Sequence, residues 1–107
     1  MSADLFMELL ATYRKYGWEL RRALLQPVTR GVLENAQLLD KVAVKDASFD
    51  ALWFSRPSHD NREAWELRLL SQTQYALFEA FETDETEEER EDVKLEMEAR
   101  MRDYVSK

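Results

Sequence analysis

The alternation at residues 64–70, Ala-Trp-Glu-Leu-Arg-Leu-Leu, constrains this chain more than any other stretch. Trp65, Leu67 and Leu69 recur at every second position with Glu66 and Arg68 between them. That period of two puts the apolar side chains on one face of a strand, whereas a helix would scatter them around its circumference. Just upstream, 51–56 is a compact apolar and aromatic run closed by Pro57, and Ser58, His59, Asp60 and Asn61 supply turn chemistry. The two runs form a hairpin signal. Pairing them about His59 and Asp60 sets Phe54 opposite Trp65, Leu52 opposite Leu67 and Arg56 opposite Glu63, an apolar face with an ion pair near its turn.

A second connection at 71–74 leads to a stretch where two patterns compete. Ser71 followed by Gln74 matches a capping box, and Tyr75, Phe78 and Phe81 recur at helical spacing; we read a strand. The expectation is then a three-stranded antiparallel meander over residues 50–82. Pairing its second and third strands about Gln72 and Thr73 sets Leu77 opposite Arg68, Glu79 opposite Glu66 and Phe81 opposite Ala64. Two like charges facing each other are unfavourable, so a basic group must offset Glu66 and Glu79 if that register holds.

Long helical periods flank the meander. Over residues 3–25, Leu5, Leu9, Tyr13, Tyr16, Leu20 and Leu24 fall at three- and four-residue steps, widened by Phe6 and Leu10, with Ser2 available as N-cap and Pro27 as terminator. Gly17 inside that period costs about 1 kcal/mol relative to alanine. Residues 29–46 are less regular: a short helix over 32–39, capped from Thr29 or Arg30, and a brief edge strand over 42–44 are expected. The acidic run 83–89 opens a last helix reaching Tyr104, with Asp84 and Glu87, or Thr86 and Glu89, as a capping box at the positive end of the helix dipole. Val93, Met97, Met101 and Tyr104 form its apolar stripe.

The fold class expected is α+β: a three-stranded antiparallel β-meander flanked by long N- and C-terminal α-helices that pack on one of its faces. Leu52, Phe54, Trp65, Leu67, Leu69 and Phe78 are the expected core. With 107 residues there is material for one domain, 1–107. The coarse order of helix, three antiparallel strands and helix is similar to the opening half of the homodimeric chaperones of type III secretion, a likeness of element order alone.

Charge and composition narrow the function. Of 37 charged residues 22 are acidic, and the net charge of −7 falls mainly after residue 30, a distribution that repels phosphate and disfavours nucleic acid as a partner. Cysteine is absent, which removes disulfides and thiolate chemistry and suits a reducing cytoplasm, the compartment expected. Asp4 and Glu8 interrupt the first apolar stretch, unlike a secretory leader, and no apolar run approaches the ~20 residues a membrane span needs. His59 is the only histidine; beside Asp60, Ser55 and Ser58 it makes a His-Asp dyad on paper, but neighbours within a turn point apart. No pattern singles out a catalytic residue, a cofactor or a metal, and the acidic run lacks the loop glycine and alternating ligands of a calcium site.

Trp53, Arg68, Leu77 and Phe81 share the second sheet face in the register above and are residue types enriched at interface centres. The functional expectation is a small acidic protein-interaction module, adaptor, chaperone-like or regulatory, that binds a protein partner or a second copy of itself as a homodimer through those four residues. Residues 29–50 folding back over that face would instead make it core. The alternative is a small enzyme or ligand-binding protein using His59 or an acidic cluster.

Overall fold

The computed structural model describes residues 3–107, in the order α1 (Ala3–Lys15), β1 (Glu19–Leu25), α2 (Pro27–Asn35), β2 (Ala43–Asp46), β3 (Ala51–Pro57), β4 (Glu63–Leu69), β5 (Ala76–Phe81) and α3 (Glu87–Val105). Ser2, the expected cap of α1, lies outside the described residues. The fold is α+β, with one five-stranded mixed sheet of order β2-β1-β3-β4-β5. β2 runs parallel to β1 and the other neighbours are antiparallel. The meander is present as β3-β4-β5, but it is part of a larger sheet rather than the whole of one.

Of the two further strands β2 was expected at an edge, and β1 comes from a segment whose local pattern misleads. The helical period of residues 3–25 stops at Gly17, which takes φ +86. There Gly17 N–H donates to Arg14 O at 3.0 Å and Trp18 N–H to Tyr13 O at 3.0 Å, the paired bonds that close a helix around a left-handed glycine. Beyond it Glu19–Leu25 consists of good helix formers, yet it lies between β2 and β3, and ladder pairing on both sides outweighs propensity. Pro27 does not end a helix; it opens α2, at the position where a missing donor is harmless. The expected helix over 32–39 therefore begins five residues earlier, and the edge strand expected over 42–44 is β2.

Both hairpin registers are displaced by one residue from the symmetric pairing. Phe54 faces Glu66, Trp53 faces Leu67 and Leu52 faces Arg68; Glu66 faces Phe78, Leu67 faces Leu77 and Arg68 faces Ala76. The first connection is longer than a two-residue turn. It runs through a 3-10 turn at His59–Asn61 in which Asp60 and Asn61 have φ 58 and 62, and Ser58 N–H closes it on Arg62 O at 2.9 Å. A slip of one residue moves every side chain to the other face. The opposition of Glu66 to Glu79 accordingly disappears.

Both faces are covered, and the terminal helices lie on opposite sides rather than on one. Leu52 and Phe54 pack with Ala23 and Leu25 of β1 against Phe6 and Leu9 of α1 and Leu33 of α2. Trp53, Leu67, Leu69 and Leu77 pack against Met97 and Met101 of α3. The expected core thus divides: Leu52 and Phe54 go to the α1 side, Trp65, Leu67 and Leu69 to the α3 side, and Phe78 is 59% exposed. α3 starts as its capping box dictates, with Glu89 N–H donating to Thr86 Oγ1 at 3.1 Å and Thr86 N–H to Glu89 Oε1 at 3.3 Å. Among the described residues no helix is long and apolar enough to cross a membrane.

Candidate functional site

The four residues expected to meet a partner are not brought together. Trp53, Leu77 and Phe81 are buried on the face that α3 covers; residues 29–50, the alternative cover for that face, instead supply α2 and β2. Trp53 Nε1 donates to Glu98 Oε2 of α3 at 2.8 Å. Arg68 lies on the other face, half-buried, donating from Nε to Leu69 O at 3.0 Å. His59 and Asp60 are exposed at the β3-β4 tip, while Ser55 is buried and accepts from Arg21 Nε at 2.7 Å, so the His-Asp-Ser neighbours in sequence do not converge. Among the described residues no group of three or more His, Cys, Asp and Glu side chains is placed to hold a metal ion.

The sheet presents two edges of opposite character. At one end β2 is only four residues long, Ala-Val-Lys-Asp, with both charged side chains exposed, the short and charged form that discourages further pairing. At the other end β5 is Ala-Leu-Phe-Glu-Ala-Phe. It has no proline, no lysine and no bulge. Leu69 N–H donates to Tyr75 O at 2.9 Å, which makes Leu69 and Tyr75 a hydrogen-bonded pair; in an antiparallel ladder such pairs alternate. Leu77, Glu79 and Phe81 then direct their backbone groups to β4, and Ala76, Phe78 and Ala80 direct theirs outward. The next outward amide, that of Glu82, is taken by Glu85 Oε1 at 2.9 Å, so the bare edge ends there.

Phe78 stands on the α1 side of this edge, opposite Glu66. The Glu66 carboxylate accepts a short hydrogen bond from the Tyr13 hydroxyl, and the Tyr13 ring stacks on Phe54 at 4.0 Å and 13°. Burial, followed by the bond to Glu66 and its charge, holds the Tyr13 phenol well above its ordinary range, against the opposing influence of Arg68. Glu66 also walls a cavity of about 310 Å³ with Tyr13, Tyr16, Trp18 and Arg56; Arg56 lies over the Trp18 ring at 4.7 Å and donates to Tyr16 O at 2.7 Å. On that side Glu66, with Tyr13 bonded to it, is the neighbour of the bare strand. On the other side Glu79 is exposed, opposite Trp65.

Sequence reasoning placed Phe78 in the core because its register was one residue out. The signal was there: residues 76–81 hold a single charge, unlike an edge protected against pairing. Family models, curated proteins and solved structures were compared with this chain, and none matches.

Proposed function

We propose that this chain is a protein-interaction module that takes an extended segment of a partner protein as an added strand beside β5. The observation that carries the reading is the outward row of backbone groups at Ala76, Phe78 and Ala80 together with the exposed Phe78 ring. Strand addition supplies affinity through main-chain hydrogen bonds and specificity through alternate side chains. Here an apolar residue of the partner would cover Phe78, and a basic one on the opposite side would meet Glu79. A partner rich in lysine or arginine also matches the net charge of −7.

A second copy is the weaker occupant. A two-fold axis at Phe78 would set Phe78 against its equivalent and Ala76 against Ala80, but it would also set Glu79 against Leu77 in both halves and bring two acidic chains together.

A labelled peptide of alternating valine and lysine tests the reading by fluorescence anisotropy. Saturable binding is expected, weakened by about tenfold to a hundredfold in Phe78→Ala, the equivalent of one buried phenylalanine. It should be lost in Phe78→Pro, where the removed N–H is one that β4 does not use. A valine-glutamate peptide binding equally well, or both variants binding as the native chain does, would refute it. Native dimers in sedimentation that dissociate in Phe78→Pro would show that the edge serves self-association instead.

A further inference from the structure

The turn between α1 and β1 gathers three aromatic rings. Tyr13 and Tyr16 lie three residues apart at the end of α1 and so share a side of the helix, and the left-handed Gly17 turns Trp18 back towards them. Tyr13 stacks on Phe54 and meets Trp18 edge-on at 6.0 Å and 63°. With Arg56 of β3 and Glu66 of β4 these rings wall the cavity of about 310 Å³ on the α1 side of the sheet.

Arg56 and Glu66 are the unusual pair. Arg56 faces Ala64 and Glu66 faces Phe54 in the β3-β4 ladder, so they are diagonal neighbours on one sheet face, a separation that long side chains of opposite charge can bridge. They do not bridge it, and neither makes an ion pair among the described residues. Arg56 is drawn to the end of α1, where Nη1 donates to Tyr16 O at 2.7 Å and the guanidinium lies over Trp18. Glu66 is drawn to the Tyr13 hydroxyl, a neutral donor that engages only Oε2. Arg68, two residues further along the same face, turns Nε to Leu69 O at 3.0 Å and Nη2 to Ser71 O at 3.4 Å, and it bears on the cavity through the Tyr13 phenol.

The cavity is therefore walled by one carboxylate and one guanidinium, each without a counter-charge and each with hydrogen-bonding capacity left over. A half-buried carboxylate in that condition is costly, and a ligand cation is one way to offset it. An anion alone would answer Arg56 and face Glu66; a cation alone would do the reverse. A zwitterion answers both. The rings supply the apolar body of the site, the usual form of a small-molecule pocket with few convergent polar groups, and they favour an aromatic occupant.

We propose that this cavity binds a free α-amino acid with an aromatic side chain, its ammonium on Glu66, its carboxylate on Arg56 and its ring against Tyr16 and Trp18. Both charges sit on one carbon of such a ligand, which suits two wall groups that are neighbours without touching. The site does not depend on strand addition, since its residues belong to α1, β3, β4 and the turn after α1.

Three ligands test this on the native chain: L-phenylalanine, phenethylamine with the ammonium alone, and 3-phenylpropanoate with the carboxylate alone, each followed by NMR at the Trp18 indole N–H. L-Phenylalanine should give saturable shifts, and each single-charge analogue should bind at least about tenfold more weakly. Glu66→Gln, which keeps an acceptor for Tyr13, should lose the preference for L-phenylalanine over 3-phenylpropanoate; Arg56→Gln should lose the preference over phenethylamine. No saturable shift at Trp18 with L-phenylalanine up to about 10 mM, or three ligands binding alike, would overturn the proposal without any variant. Variants that keep both preferences would overturn the roles given to Glu66 and Arg56.

Discussion

Tyr13 joins the first helix to the fourth strand through one hydroxyl, and its burial together with that bond makes stability depend on alkaline pH. Its phenol is raised in the folded chain above the ordinary value of 10.0. As pH climbs through that value the unfolded chain loses the proton while the folded chain keeps it, so the contribution is complete below pH 10 and lost above it. Denaturant midpoints of the native chain and Tyr13→Phe should converge as pH rises beyond 10; a constant difference would show that the bond is not proton-linked. Glu98 also joins distant elements, buried and accepting from Trp53 Nε1 at 2.8 Å, with Lys45 Nζ at 3.1 Å. Glu98→Ala strands a buried indole N–H and should cost about 1–3 kcal/mol in urea unfolding, whereas a loss below 0.5 kcal/mol or so would place that group in water. Tyr13 was legible as part of the apolar stripe of the first helix, whereas Glu98 and the buried Lys94 were not. Glu98 and Lys94 follow the apolar stripe of α3 by one position, and charge alone assigns them to the solvated side, because the sheet partners that accept them, Trp53 and Trp65, are more than 25 residues away in sequence.

Elements were legible where the local signal and the tertiary demand agree. The β3-β4 hairpin follows from alternation and the capping box at Thr86 and Glu89 from cap chemistry, while the strand at 76–81 was read against a competing helical spacing. β1 did not, since its residues favour a helix and only its two neighbours make it a strand. Gly17 held the hint, and a paired substitution reads its role. Gly17 and Gly31 both have open space where a Cβ would stand, but only Gly17 has a positive φ. Gly17→Ala should destabilise by about 1–2 kcal/mol through the left-handed backbone alone. Gly31→Ala, inside α2, should stabilise by up to about 1 kcal/mol. Thermal melts of the two variants check both signs, and shifts in the same direction would contradict the assignment of Gly17 as a helix terminator. The registers failed for a related reason: turn length decides them, and the left-handed Asp60 and Asn61 are set by backbone geometry that residue identity permits without requiring.

At the scale of the whole molecule, three helices cover both faces of the sheet, which moves the proposed recognition surface from a face to an edge. The slip of one residue is what converts the one reading into the other, because it buries Trp53, Leu77 and Phe81 under α3 and turns Phe78 out. With β2 short and charged, β5 is the edge on which another strand can grow. Backbone amide exchange along β5, measured by NMR with and without the valine-lysine peptide, tests this most directly. In the free chain Leu77, Glu79 and Phe81 should exchange slowly and Ala76, Phe78 and Ala80 fast; saturating peptide should slow the second set and leave the first unchanged. Amides of Ala76, Phe78 and Ala80 that still exchange as fast in the presence of bound peptide would contradict strand addition at this edge.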